Sequence, residues 1–234
     1  MTKLIRKSLA ALALFTVELV FIWTIFLTCI MVFFFLIREI LAGEALHFDE
    51  RAFQWADSFG SQAFTQFMVV VTFFASRHFI TVISLVLIYY FLFVRKHRWY
   101  SLKVPVIALG SITLNLILKY FFNRPRPLVP HLVESSGLSF PSGHAMVSAS
   151  FYGLLFYLVW NHVAHKGLRI FLLVLLVGII LLIGFSRVYL HVHYATDVMA
   201  GFAAGLLWVI IAIFSLRKLE QYSRRKLKPM VEAN

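Results

Sequence analysis

The sequence predicts an all-α, polytopic membrane protein: a bundle of six transmembrane helices with one short interfacial helical segment. Hydrophobic residues make up 61% of the 234 positions, and the mean hydropathy is +0.86. Charged residues make up 14%, against about 25% in soluble domains. The apolar residues collect in six long runs, most of them near the roughly 20 residues that a spanning helix needs. No repeat or linker divides the chain, so we expect one domain over residues 1–234.

The first run, residues 12–37, follows the cations Lys3, Arg6 and Lys7. Its length exceeds the roughly 7–15 apolar residues of a signal peptide, which favours a membrane anchor. The shorter runs can cross by tilting or by using flanking residues. The five runs that follow lie at 79–94, 101–118, 145–160, 168–185 and 197–215.

A further apolar stretch, residues 62–76, does not fit this series. Joined to 79–94 it would form a helix of about 50 Å at 1.5 Å per residue, too long for one crossing. We expect Arg77 and His78 to interrupt it. The stretch is therefore predicted to be an interfacial or re-entrant helix, and a seventh crossing is the alternative.

The distribution of lysine and arginine predicts the orientation. Of the 22 cationic side chains, 15 fall before the first run, in alternate loops and in the tail with its "RRKLK" segment. Because such residues accumulate on the cytoplasmic side, both termini are predicted to be cytoplasmic. The net charge of +12 then faces anionic lipid rather than nucleic acid. The single Cys29, inside the first run, excludes an intramolecular disulfide framework and a Cys-based metal site.

Two loops hold most of the polar residues that membrane topology does not explain. They are residues 118–144 and 185–197, and six spans put both on the same, non-cytoplasmic side. In the first loop, Ser142 suits the N-cap of a helix and Gly143 permits close backbone approach. The free N–H groups of the first helical turn form a site for an anion.

Lys119, Arg126 and Arg187 lie in or next to the same two loops. Each alone is typical of an interfacial side chain that extends its charge toward water. Three cations beside a helix N-terminus instead favour a phosphate site, since the planar arginine fork pairs with phosphate oxygens.

His144 and His193 add reactive groups to this site, because imidazole titrates near neutrality and serves as a nucleophile or as a general acid and base. Asp197 follows His193 by four residues, the spacing that places two side chains on one helical face. A carboxylate there would fix the imidazole tautomer. His191 is less well placed, and we interpret it as an ordinary interfacial histidine.

A metal site is the rival interpretation of these residues. No H-E-x-x-H or comparable ligand pair is present, and three nearby cations favour an oxyanion over a divalent ion. We therefore predict no metal and no other cofactor. The candidate ligand set would be His144, His191, His193, Asp197 and Glu134.

Three motifs, K-x6-R-P, P-S-G-H and S-R-x5-H-x3-D, resemble the signature of the type-2 phosphatidic acid phosphatase family over residues 119–197. The resemblance implies metal-independent hydrolysis of a membrane lipid phosphate. It implies that His193 attacks phosphorus and forms a phosphohistidine, that Asp197 orients it, and that His144 protonates the leaving oxygen and later activates water. By the same resemblance the phosphoryl oxygens are bound by Lys119, Arg126, Ser142, Gly143 and Arg187.

The substrate remains open at this stage, because phosphatidylglycerol phosphate, phosphatidate, undecaprenyl diphosphate and lipid A phosphates present the same terminal group. A lipid phosphotransferase using the same site and a non-catalytic lipid-phosphate-binding protein are the alternatives. The expected location is a bacterial cell membrane with the site on its extracytoplasmic face. The sequence gives no sign of an obligatory protein partner.

Overall fold

The computed structural model describes the backbone of residues 3–227 and the side chains of residues 19–225. Over that range the chain is helical and has no strand, which confirms the all-α class. Five-residue π-helical segments, Tyr90–Val94 and Ser223–Leu227, continue the fourth and eighth helices. The α-helices are α1 (Lys3–Ala42), α2 (Leu46–Asp57), α3 (Gln62–Phe73), α4 (Arg77–Tyr89), α5 (Arg98–Phe122), α6 (Gly143–His162), α7 (Lys166–Tyr189) and α8 (Ala195–Tyr222).

Six helices, α1 and α4 to α8, are long and apolar enough to cross a membrane, in agreement with the six predicted spans. The helices extend beyond the apolar runs, because polar residues at each end continue the same backbone hydrogen bonding. The run at 101–118, for example, is the middle of Arg98–Phe122. The side chains of Lys3, Arg6 and Lys7, and the end of the basic tail, lie outside the described residues.

The segment between the first two spans differs from the prediction in two ways. The predicted interfacial stretch is α3, whose 12 residues are too few to span a bilayer. Arg77 and His78 were expected to interrupt the helix, but instead they begin α4. The break lies at 74–76, where the Ser76 hydroxyl accepts a hydrogen bond from the Phe79 N–H. α2 was not predicted, because its polar residues do not meet a hydropathy criterion.

α6 is the centre of the bundle and packs against α5, α7 and α8. In its most apolar stretch 56% of the residues are buried, against 11% for α1, which packs on α8 at the periphery. Gly201 allows the close approach of α8, since a Cβ there would lie 2.7 Å from the Ser142 carbonyl oxygen. Small residues at such contacts let two membrane helices approach closely.

The helix ends at one end of the bundle carry the three motifs. This "site end" consists of loops 123–142 and 190–194 together with α2, which packs on α7 and α8. The Ser142 N–H donates a hydrogen bond to the Asp197 carbonyl oxygen at 3.0 Å, so the starts of α6 and α8 are joined. Residues that are far apart in sequence therefore meet in one region.

Candidate active site

Helix ends position the motif residues at the site end. Lys119 lies in the last turn of α5, as predicted, and Arg187 in the last turn of α7. Asn123, in the left-handed conformation that favours asparagine, ends α5 with φ 47°. Ser142 occupies the N-cap position of α6, and Asp197 is the third residue of α8.

His193 and Asp197 are neighbours, but not for the reason that their spacing suggested. α8 begins at Ala195, so His193 precedes the helix, and the two side chains do not stack on one helical face. Instead the Asp197 carboxylate turns back and accepts a hydrogen bond from the Tyr194 N–H at 3.1 Å. Its Oδ2 lies 3.6 Å from His193 Nδ1, which is too long for a direct hydrogen bond.

Ser139, which the sequence analysis did not identify, joins the two groups. Its hydroxyl lies 3.3 Å from His193 Nδ1 and donates to Asp197 Oδ2. All three side chains are buried. Because Nδ1 faces this pair, Nε2 is the ring nitrogen that can react.

Burial lowers the pKa of His193 to about 4, although the nearby Asp197 carboxylate opposes the change; the charges of Arg187 and Lys119 add to it. An imidazole with this pKa is neutral near pH 7 and keeps a lone pair for attack on an electrophile.

Lys119 and Arg126 hold the segment that carries Ser139. The Lys119 ammonium donates to the carbonyl oxygens of Leu138 and Ser139, the latter at 3.2 Å. Arg126 donates to three carbonyl oxygens, those of Ser136 (2.8 Å), Gly137 (3.0 Å) and Val192 (2.6 Å). Lysine has three N–H donors and arginine five, so each cation retains donors for an anion.

Two buried donors at this end lack a protein partner. The Ser142 hydroxyl does not cap α6, contrary to the expectation from its position, and no hydrogen bond satisfies it. Arg187 is fixed by a 2.7 Å hydrogen bond from its NH1 group to Thr72 Oγ1, and its Nε is unpaired. Buried polar groups are almost always hydrogen-bonded, so two unpaired donors at the same end of the bundle indicate a ligand with acceptor oxygens.

His144 and Gly143 form the first turn of α6 beside these donors. The charged groups that act on His144 include Arg187, His193 and Arg126, so the two histidines share one electrostatic environment. Gly143 is closely packed, since a Cβ there would lie 3.0 Å from Asn115 Oδ1 and would require that side chain to shift.

Behind the carboxylate lies a second group of residues that the sequence analysis missed: Asp49, Arg124 and Thr196. The Arg124 guanidinium donates to Asp197 Oδ1 at 2.6 Å. The only sequence signal was the repeated Arg-Pro pair at 124–127; Asp49, in an unpredicted helix, gave none.

The ligand set of the rival metal interpretation does not assemble. His191 turns away and contacts Asp57 Oδ1 at 2.8 Å and the Pro130 carbonyl oxygen at 3.1 Å, and Glu134 is exposed. Within residues 19–225, no three His, Cys, Asp or Glu side chains are grouped so that they could hold a metal ion.

The net charge of the site, like its unpaired donors, favours an anionic ligand. Lys119, Arg126 and Arg187 interact electrostatically with one another, and Lys119 and Arg126 also interact with the Asp197 carboxylate. Three cations and one carboxylate leave the region net positive. The arrangement can therefore bind an oxyanion next to a neutral, oriented imidazole.

Comparisons with known proteins agree with this description. The model of the PAP2 superfamily matches residues 100–220. Phosphatidylglycerophosphatase B of Bacillus subtilis is 33% identical over 135 residues, which are 57% of this chain and 66% of that protein. The Escherichia coli protein YbjG, provisionally named an undecaprenyl-diphosphatase, is 27% identical over 62% of this chain and 72% of its own length.

Two crystal structures share the fold. A transmembrane PAP2-type phosphatidylglycerolphosphate phosphatase from Bacillus subtilis has a TM-score of 0.75 and 27% identity, covering 86% of this chain and 98% of that one. Aquifex aeolicus LpxE has a TM-score of 0.53 and 25% identity, covering 69% of this chain and 92% of its own.

Proposed function

The chain belongs to the PAP2 superfamily, and from this premise we propose that it is a lipid phosphatase that hydrolyses the terminal phosphate of a membrane lipid phosphate or diphosphate. The similar proteins with a named activity are phosphatases. The six apolar helices suit a substrate whose tail lies in the bilayer.

One observation carries the proposal: two unpaired buried donors and three cations lie at the same end of the bundle as the neutral imidazole of His193. Phosphoryl transfer depends mainly on positioning and on stabilising charge at the equatorial oxygens. In this role the phosphoryl oxygens are bound by Lys119, Arg126, Ser142, the Gly143 N–H and Arg187.

The reaction has two steps at phosphorus. The Nε2 of His193 attacks, the bond from phosphorus to the lipid oxygen breaks, and His144 donates a proton to the departing oxygen. A water molecule then transfers a proton to His144 and attacks the phosphohistidine, which releases inorganic phosphate and restores both histidines. Asp197 stabilises the positive charge that His193 acquires, through Ser139.

The site faces the extracytoplasmic side, with both termini in the cytoplasm. The support is the asymmetry of lysine and arginine along the sequence. Exposed apolar side chains at the site end, Tyr120, Phe121 and Leu128, suit a rim in contact with lipid. A substrate could then enter sideways from the bilayer, its phosphate at the interface.

The direct test is release of inorganic phosphate by the detergent-purified protein from phosphatidylglycerol phosphate, phosphatidate and undecaprenyl diphosphate, compared by kcat/KM. His193→Ala should abolish release, whereas the matched variant His191→Ala, two residues away, should keep most of it. Phosphate found on an acceptor lipid would indicate a phosphotransferase. Substrate binding without turnover would indicate a binding protein. Equal losses of activity in His193→Ala and His191→Ala would refute the assignment of His193 as the nucleophile.

Two reagents test the chemistry without a mutation. Vanadate mimics the five-coordinate phosphoryl transition state and should inhibit strongly. EDTA should leave phosphate release unchanged, because the proposed steps use side chains of this chain. Loss of activity in EDTA that is restored by a divalent ion would contradict the mechanism.

A further inference from the structure

Asp49, near the start of α2, is a buried acid that none of the three motifs contains. Its side chain is 1% exposed, whereas Glu50 and Asp57 on the same helix are exposed. Burying an unpaired carboxylate is unfavourable, so a buried acid is expected to have specific partners.

The partners of Asp49 are residues beside the catalytic carboxylate. The Thr196 N–H donates to Asp49 Oδ1 at 2.9 Å, and the Thr196 hydroxyl donates to Oδ2 at 2.8 Å. Oδ2 also accepts a hydrogen bond from Arg124 NH2 at 3.0 Å. Asp49 therefore binds both the main chain and the side chain of Thr196, the residue immediately before Asp197.

Arg124 connects the two buried acids. Its NH1 group donates to Asp197 Oδ1 at 2.6 Å and to Thr196 Oγ1 at 2.8 Å, while NH2 contacts Asp49. The guanidinium lies over the ring of Tyr194, 4.0 Å from its centroid. With Oδ1 engaged by Arg124, Asp197 is held with Oδ2 directed at Ser139 and His193.

We propose that Asp49, acting through Arg124 and Thr196, is a positioning residue that fixes the orientation of Asp197 and thereby of His193. This inference rests on the proposed function in that it assigns Asp197 to the support of a reacting imidazole. It gives α2 a part in the site, although the helix lies outside the segment that carries the motifs.

Asp49 also divides the charge of Arg124 between two carboxylates. Burial raises the pKa of Asp49, and the hydrogen bonds from Thr196 and Arg124 oppose that rise, so its ionised form depends on them. If Asp49 were neutral, Arg124 would act on Asp197 alone and would make that carboxylate a weaker acceptor for the charge that develops on His193.

The first test is Asp49→Asn, which keeps the shape and removes the charge. We expect kcat to fall by about 10- to 100-fold, the range typical of the outer partners of metal-binding histidines, which likewise orient an imidazole. KM should stay within about twofold, since the phosphate-binding donors are untouched. Asp57→Asn is the matched control: the same change on the same helix, at a side chain that is 55% exposed and contacts His191.

Coupling within the group provides a second criterion. Residues in one network are non-additive, so Asp49→Asn combined with Arg124→Lys should lose little more activity than the more affected single variant. Additive losses would contradict a common route. If Asp49→Asn does not fold, Thr196→Val removes the hydroxyl from the same network with little change of volume, and it should show the same selective loss of kcat.

The imidazole NMR spectrum of His193 separates this inference from the proposed function. The resonance should shift in Asp49→Asn and in Thr196→Val, and should be unchanged in Asp57→Asn. If no lipid phosphate is hydrolysed, the proposed function fails, and the resonance still decides whether Asp49 positions His193. A wild-type resonance together with wild-type kcat in a folded Asp49→Asn protein would overturn the inference.

Discussion

Replacing Ser139 with alanine tests how the imidazole and its carboxylate are joined. The substitution removes the hydroxyl that lies 3.3 Å from His193 Nδ1 and donates to Asp197 Oδ2. It leaves the backbone carbonyl that accepts from Lys119. The phosphate-binding side chains are unchanged, so the loss should appear in kcat rather than in KM.

The expected magnitude follows from the geometry. A hydrogen bond to a charged group contributes about 1.5–3 kcal/mol, and about 1.36 kcal/mol corresponds to a tenfold change in rate. His193 Nδ1 and Asp197 Oδ2 are 3.6 Å apart, and a movement of about 0.6 Å would bring them to ordinary hydrogen-bond distance. Because the carboxylate can replace part of the lost contact, we expect the lower limit, about a tenfold decrease in kcat.

The assay is steady-state phosphate release, with Ser135→Ala and Asp197→Asn measured in parallel. Ser135→Ala removes an exposed hydroxyl that contacts His131 and should have no effect. Asp197→Asn should cost on the order of 10³-fold or more, as for the acid of a catalytic triad. A Ser139→Ala enzyme with wild-type kcat, or one as impaired as Asp197→Asn, would refute the bridging role.

Three further predictions concern packing, protonation and phosphate binding. Gly201→Ala places a Cβ 2.7 Å from the Ser142 carbonyl oxygen and should lower the melting temperature and kcat, whereas Gly178→Ala, with nothing within 4 Å, should lower neither. The pKa of His193 is about 4 in the folded protein and 6.5 ordinarily. Unfolding therefore takes up a proton in this range, and stability should fall as the pH is lowered from 6.5 to 4; melting curves should show a shallower slope in His193→Gln than in the wild type. Arg187→Lys removes an unpaired buried donor and should raise the vanadate inhibition constant about tenfold or more, measured by inhibition of phosphate release; an unchanged constant would exclude Arg187 from the phosphate site.

The spans could be predicted because the bilayer imposes a local rule. Without water to satisfy backbone polar groups, a long apolar run must be helical, and each of the six runs can be recognised independently of the others. α2 could not be predicted in this way, because it is not an apolar run but a polar, amphipathic helix that packs against α7 and α8. The His193 and Asp197 contact was predicted for the wrong reason, since a spacing of four does not reveal that the helix begins between them.

The sequence by itself determined the six-span, all-α class and the chemical character of the site, because both follow from local composition: apolar runs, and cations and histidines beside a helix start. Only the tertiary structure decided which groups support the imidazole. Ser139 is 58 residues from Asp197, and Asp49 is 147 residues from Thr196. Contacts over such separations depend on how the helices pack. A single serine in a loop, or an aspartate in an amphipathic helix, belongs to no sequence pattern that identifies its partner.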